Sequence, residues 1–272
     1  MCPVGTEGLP LPASSPRWKL AFLGTLALGS LIGMLFVRPI PQDPGYHELA
    51  DARPFRGIPN FLNVVSNLPF LAAGLYGLCH AFRRRDDAFL APWVRGPWIV
   101  LTASLFLTGF GSSYYHWAPT DATLFWDRLP MATGFASVLG IMIIERIDLS
   151  LGRRLWAPLV LAAAGSLIFW RMGGDLRFYG LLQGWALVLV PLILILFPGN
   201  YTGGHAWFVA LACYGLAKFF ELGDAPTFRL GNVVSGHTLK HLCAGTAAFF
   251  ISRHLATRAR TNSSDVARPP AA

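Results

Sequence analysis

Long apolar stretches recur along this chain, separated by short segments rich in polar residues, glycine and proline. A helix needs about 20 apolar residues to cross the hydrocarbon core of a bilayer. Eight stretches approach that length, at residues 18–37, 60–82, 97–116, 123–145, 154–171, 177–197, 205–222 and 232–254. The pattern therefore predicts an all-α fold, a polytopic bundle of membrane helices.

The composition agrees with a membrane protein. Hydrophobic residues make up 54% of the 272 residues and charged residues only 13%, whereas an ordinary soluble domain has about 25% charged residues. Most of the nine tryptophans lie near the ends of predicted spans, as in the aromatic belts of membrane interfaces. An ordinary soluble domain is excluded.

The first apolar stretch invites comparison with a signal peptide, because Arg17 and Lys19 come just before it. It is longer than the apolar region of a signal peptide, and no small-x-small cleavage site follows before Arg38. We therefore expect an uncleaved first span.

The rest of the chain organises into one domain between two tails. Residues 1–16 and 255–272 are rich in polar and small residues and proline, which is typical of disordered tails. Residues 17–254 are expected to form a single transmembrane domain. The four cysteines have no paired spacing, so neither a disulfide framework nor a CxxC metal site is predicted.

The net charge of +8 does not indicate nucleic-acid binding, because the basic residues are spread over short loops and the tail. Their distribution instead indicates how the chain is oriented in the membrane. With a cytoplasmic N-terminus, thirteen basic residues fall on the cytoplasmic side and six on the other. The positive-inside rule then places both termini in the cytoplasm. No nucleic-acid partner is expected.

Polar residues in the spans converge at one predicted depth. The third span ends at His116 and the fourth starts just before Asp127, so both face the extracytoplasmic side. In the eighth span, His237 and His241 lie roughly 8 to 14 Å below the outer end. Ionisable groups are costly in hydrocarbon, so their clustering indicates a functional site in the outer leaflet.

The second span adds amides and a hydroxyl at a similar depth, in Asn63, Ser66 and Asn67. These side chains suit hydrogen bonds between helices or support of a neighbouring site. We expect them to serve one of these two purposes rather than to take part directly in the chemistry.

The histidine spacing points to a metal. His237 and His241 are four residues apart, so both rings project from one face of a helix, and Ser112 and His116 repeat that spacing. Three histidine nitrogens with water in the fourth position form the open tetrahedral arrangement of a catalytic zinc. His116 can supply the third ligand from another span.

Simpler interpretations exist for several of these residues. A lone histidine on an apolar helix is usually a hydrogen-bonded packing residue, Lys240 can snorkel to the interface, and Asp127 can pair with Arg128 or with a helix dipole. Four acidic residues at span ends or in loops are interpreted as solvated and without a role: Glu145, Asp175, Glu221 and Asp224.

Four motifs taken in order resemble the alkaline ceramidase family. They are Asn63-Val-Val-Ser66-Asn67, Ser112-Ser-Tyr-Tyr-His116, Asp127-Arg-Leu-Pro-Met131 and His237-Thr-Leu-Lys-His241. The family belongs to a membrane hydrolase superfamily that includes adiponectin and progestin-type receptors and GPI-lipid remodelling proteins. The resemblance covers residues 60–254 and implies a seven-helix core, to which the first span is an addition typical of a bacterial homologue.

The resemblance implies a set of roles. Zinc would be held by His116, His237 and His241, with Asp127 and Ser112 as catalytic residues beside its water. The substrate would be a ceramide-like membrane lipid, hydrolysed at its amide to a long-chain base and a fatty acid. Calcium does not carry over, because residue 60 is asparagine where eukaryotic members have a glutamate ligand.

Two other classes of protein compete with this hydrolase. A receptor or lipid-binding protein of the same superfamily would hold zinc with little hydrolysis. A metal or proton transporter would place charged residues across the full membrane depth, and here they cluster near one face, so it ranks last. The sequence leaves the oligomeric state open.

Overall fold

The computed structural model describes residues 16–261, which are largely helical and contain no β-strand beyond two isolated bridges. The predicted all-α class is confirmed. The α-helices are α1 (Arg17–Met34), α2 (Phe61–Val65), α3 (Leu68–Arg83), α4 (Arg95–Trp117), α5 (Asp121–Met142), α6 (Leu149–Gly173), α7 (Arg177–Leu196), α8 (His205–Leu222), α9 (Asp224–Arg229) and α10 (Gly236–Thr257). Most of both predicted tails, residues 1–15 and 262–272, lies outside the described residues.

A helix occupies each of the eight predicted spans. Within residues 16–261, four helical stretches are long and apolar enough to cross a membrane: Phe61–Arg83, Asp121–Ile147, Leu149–Gly173 and Arg177–Leu196. These four make the chain compatible with an integral membrane protein. Spanning by the other helices, a seven-helix core and the side on which the termini lie stay predictions.

The helices that carry the polar motifs pack as neighbours. α10 lies between α8 and α3, α3 packs against α4, and α4 packs against α5, which also contacts α6 and α7. α1 packs against α7, where Trp185 Nε1 donates to Ser30 Oγ at 2.8 Å. The predicted site residues therefore sit on adjacent helices, while α1 lies outside this group.

The packed chain continues past residue 254, the predicted end of the domain. α10 runs to Thr257, and Arg258 is fully buried. One guanidinium nitrogen of Arg258 donates to both carboxylate oxygens of Glu145 at 2.7 Å, and Trp98 Nε1 donates to the same carboxylate at 2.7 Å. Glu145 and Asp175 are each 3% exposed, so their interpretation as solvated charges is wrong.

Arg258→Met is expected to destabilise the fold by about 3 to 5 kcal/mol, because it leaves the buried Glu145 carboxylate unpaired. Thermal and denaturant unfolding in detergent micelles measures the effect. The double variant Glu145→Gln, Arg258→Met should recover part of the loss, since neither charge remains.

The matched control is Arg85→Met, which removes an exposed ion pair with Asp87 at 3.6 Å. Exposed pairs contribute about 0 to 1 kcal/mol. An Arg258→Met variant as stable as this control would contradict a buried stabilising pair.

Candidate metal centre

The start of α10 positions two of the three histidines. Ser235 caps the helix, its hydroxyl accepting the backbone N–H of Thr238 at 3.1 Å. The helix begins at Gly236 and not at residue 232, so His237 and His241 lie only about 2 and 8 Å along it. They are shallower in the helix than the sequence predicted, because the cap residue fixes where the helix starts.

Two contacts seat this end of α10 on α8 and α9. A Cβ on Gly236 would lie 2.4 Å from the carbonyl oxygen of Phe220, so only glycine permits this approach. The backbone N–H of His237 donates to Asp224 Oδ1 at 2.7 Å, and Ala50 N–H donates to the other oxygen at 3.2 Å. Asp224, interpreted from the sequence as without a role, thus ties the metal-site helix to the loop before α2.

The three predicted ligands meet. His116, next to last in α4, has its ring centroid 4.7 Å from those of His237 and His241, which are 4.8 Å apart. One nitrogen from each ring lies within 4.8 Å of the others, and all three side chains are buried. This group could bind a metal ion.

The separation of two of the ligand nitrogens fits a tetrahedral ion. Nε2 of His116 and Nε2 of His237 are 3.1 Å apart, close to the separation of about 3.3 Å for two nitrogens bound to one zinc at 2.0–2.1 Å. Two imidazole lone pairs at this distance repel unless a proton or a cation lies between them. Nδ1 of His241 lies 2.8 Å from Ser66 Oγ, which leaves its Nε2 for the ion.

Lys240 occupies part of this space. Its ammonium nitrogen lies 2.8 Å from His237 Nε2 and 3.4 Å from Glu221 Oε1. A bound ion would need that nitrogen, so Lys240 would have to rotate away from His237. The sequence interpretation of Lys240 as a packing or interfacial lysine placed it away from the ligands, whereas it touches one of them.

The predicted supporting residues are divided between direct and indirect contact. Ser66 Oγ lies 2.8 Å from His241 Nδ1, whereas the side-chain hydrogen bonds of Asn63 and Asn67 within residues 16–261 go to other partners. Asn63 donates to the carbonyl of Asp51 at 2.9 Å and accepts from Thr238 Oγ1 at 3.0 Å. Asn67 donates to the carbonyl of Asn63 at 2.9 Å. Together they tie the α2–α3 junction to the first turn of α10.

The loop that leads into α2 also contacts the site. Asn60, the position where the resemblance lacks a calcium ligand, donates to the main-chain carbonyl of His116 at 2.8 Å. Arg53 forms two hydrogen bonds of 2.7 Å with the Asp51 carboxylate, and they hold the pKa of Asp51 below its ordinary value. This contact adds to stability at neutral pH and is lost as the pH falls through that lowered pKa.

Ser112 and Asp127 face a cavity of about 500 Å³ that His241 also lines. Ser112 on α4 and Asp127 on α5 both lie in the cavity wall. Asp127 is 8% exposed, and its Oδ1 has no hydrogen-bond partner among residues 16–261. No ion pair joins it to Arg128 in that part of the chain. Asp127 therefore lines the cavity with a carboxyl group that has one buried, unpartnered oxygen.

Gly111 lets α4 and α5 approach closely enough to bring Ser112 beside Asp127. A Cβ at this position would lie 2.2 Å from the carbonyl oxygen of Trp126 and 3.2 Å from Cα of Asp127. Backbone atoms cannot rotate away as a side chain can. The two helices would have to separate at the site.

Gly111→Ala is expected to lower stability by about 1 to 3 kcal/mol, as overpacking does, and to weaken metal binding. Unfolding temperature and metal content of the purified protein measure both effects. Gly96→Ala in the same helix meets nothing within 4 Å and should be neutral or stabilising. Equal behaviour of the two variants would contradict the close-approach argument.

Four charged residues in the cavity wall received no role from the sequence: Arg128, Lys218, Glu221 and Lys240. The signal was available, because charged groups within predicted spans are costly unless they face a cavity or a partner. Glu221 lies between two lysines, 2.6 Å from Lys218 and 3.4 Å from Lys240. Glu221 is therefore a cavity-wall residue paired with lysines, and its interpretation as a solvated charge is wrong.

No family model matches this chain, and no curated protein is significantly similar to it in sequence. The resemblance to alkaline ceramidases thus depends on the four motifs alone. The catalytic roles that it implies remain proposals, whereas the proximity of the three histidines stands on geometry.

Proposed function

We propose that this protein is a zinc-dependent amide hydrolase of the membrane, which cleaves the N-acyl bond of ceramide-like sphingolipids to a long-chain base and a fatty acid. The observation that carries the proposal is the buried group of His116, His237 and His241 beside a cavity that also holds Asp127 and Ser112. A metal site, a carboxyl group and a hydroxyl group on one cavity are the parts that such a reaction needs.

Zinc is the proposed ion because three histidine nitrogens and an open fourth position are typical of catalytic zinc sites. When bound, zinc would polarise the amide carbonyl and lower the pKa of water to about 7. The protein's own task is to hold the three rings in place. Ser66 does this for His241, and Asn60 holds the end of α4 that carries His116.

Asp127 is the proposed general base and acid. Its carboxyl group, which lines the cavity, can accept a proton from the attacking water and pass that proton to the amine nitrogen as the C–N bond breaks. Ser112 can donate a hydrogen bond to the carbonyl oxygen as negative charge develops there. Both residues line the cavity, so a substrate amide placed there would reach them.

The cavity suits part of a lipid. Its volume of about 500 Å³ lies within the range of small-molecule sites, and Phe70, Met131 and Ala244 provide apolar wall for an acyl chain. With both termini in the cytoplasm, as the positive-inside rule favours, the site would serve the extracytoplasmic leaflet.

The test is to incubate the purified protein with an N-acyl sphingosine in mixed micelles and to measure both products by mass spectrometry. We expect equal amounts of base and fatty acid, loss of turnover after chelation, and recovery with added zinc. Bound zinc and bound lipid without hydrolysis across a panel of lipid amides would instead support the lipid-binding or receptor alternative.

A further inference from the structure

Arg128 is a buried cation that the proposed chemistry does not use. It follows Asp127 on α5, lines the same cavity and is 7% exposed. Its one hydrogen bond within residues 16–261 goes from Nη1 to Gln42 Oε1 at 2.7 Å. No carboxylate of this part of the chain forms an ion pair with it. Because arginine stays protonated in proteins, a full positive charge faces the cavity without a counter-ion.

Three aromatic rings hold this guanidinium in place. Its central carbon lies 5.0 Å from the ring centroids of Tyr46 and Trp170 and 5.3 Å from that of Tyr179. Cation–π contacts of this kind stabilise a cation's position, and they leave its charge and its remaining N–H donors available. Tyr46 and Tyr179 also line the cavity, so the rings and the cation face the same space.

The other charges of the cavity do not neutralise Arg128. Glu221 already accepts hydrogen bonds from Lys218 and Lys240. Asp127 is the second carboxyl in the wall, against three cations in total. The cavity wall therefore carries one more positive than negative charge, which a neutral lipid would leave unpaired.

We infer that Arg128 recognises an anionic headgroup, so that the substrate is a ceramide-like lipid carrying a phosphate or sulfonate at its first carbon. The inference rests on the proposed amide hydrolysis. The planar guanidinium fork suits the two oxygens of such a group. Arg128 and Asp127 line the same cavity, and in such a lipid the headgroup carbon is bonded to the carbon that bears the amide nitrogen.

The experiment compares two lipids that differ in one group, N-acyl sphingosine and its 1-phosphate with the same acyl chain, in nanodiscs of a zwitterionic phospholipid. We expect kcat/KM to favour the phosphate by about ten-fold or more. Arg128→Gln should remove this preference by slowing hydrolysis of the phosphorylated lipid more than that of the neutral lipid. The exposed Arg171→Gln on α6 is the control and should change neither.

Arg128→Lys keeps the positive charge but loses the planar guanidinium fork, so part of the preference for the phosphorylated lipid should remain. This variant also tests the inference if Arg128→Gln is too unstable to purify. Equal losses on both lipids in either variant, or no preference in the native protein, would overturn the inference. Inorganic phosphate is added as a competitor. Inhibition at the concentrations at which the phosphorylated lipid binds would assign the site to free phosphate and overturn the lipid assignment.

A binding measurement separates this inference from the proposed function. Both lipids are titrated into Asp127→Asn protein, and the thermal shift is recorded with and without Arg128→Gln. Stronger, Arg128-dependent binding of the phosphorylated lipid, with no turnover by the native protein, would overturn the hydrolase and keep the recognition of an anionic headgroup by Arg128. Hydrolysis of both lipids at one rate, with binding that ignores the headgroup, would do the reverse.

Discussion

We expect Asp127→Asn to lower the rate of lipid amide hydrolysis by about 100- to 10,000-fold, because general acid–base catalysis contributes a factor in this range. Asparagine has nearly the same shape as aspartate but cannot accept the proton of the attacking water. Asp127 is not one of the proposed metal ligands, which are the three histidines. The metal content should therefore stay at that of the native protein. Single-turnover kinetics and metal analysis on one preparation measure both quantities.

The control for this variant is Asp87→Asn, which changes an exposed aspartate between α3 and α4. It should leave both turnover and metal content unchanged. If Asp127→Asn retains native turnover, Asp127 is not the base. If it loses the metal together with the activity, its role is in holding the site and not in moving a proton.

His241→Ala should remove the metal. Two histidines remain, and the binding energy of a three-ligand site depends on all three, so we expect zinc affinity to fall by more than about 100-fold. The metal content of protein dialysed against a weak chelator should drop from about one ion per chain to near zero. Hydrolysis should vanish with it and should not return at micromolar zinc.

Ser66→Ala should weaken metal binding less than His241→Ala does. Ser66 Oγ contacts Nδ1 of His241, the ring nitrogen that is not assigned to the ion. Loss of such an orienting contact costs about 10- to 100-fold in metal affinity. The control is His205→Ala, an exposed histidine at the start of α8, which should bind metal as the native protein does. Native affinity in His241→Ala would contradict a site built on these three residues.

Much of the helical framework could be predicted from hydrophobic periodicity. Every predicted span contains a helix, because apolar length and short polar breaks are local properties of the chain. The pairing of His237 and His241 followed from helix geometry in the same way. Boundaries were less certain, since the start of α10 is decided by the Ser235 cap and by the seat on Asp224.

The fate of the charged residues could not be predicted in this way. Glu145 pairs with Arg258 across 113 positions of sequence, and Glu221 meets a lysine on another helix. Local sequence rules place such residues at span ends, where water is the default partner. Only the contact of Glu145, just after α5, with Arg258, just after α10, and the packing of α8 against α10 removed that water.

By itself the sequence determined that the chain is helical and apolar, and that His116, His237, His241, Ser112 and Asp127 carry its chemistry-bearing motifs. Tertiary structure alone decided that the three rings meet, that Gly111 brings Ser112 beside Asp127, and that Arg128 faces the same cavity in an aromatic cage. The physical reason is the distance over which each kind of interaction acts. Periodicity and spacing act within one helix, whereas a site between helices depends on how closely their backbones approach.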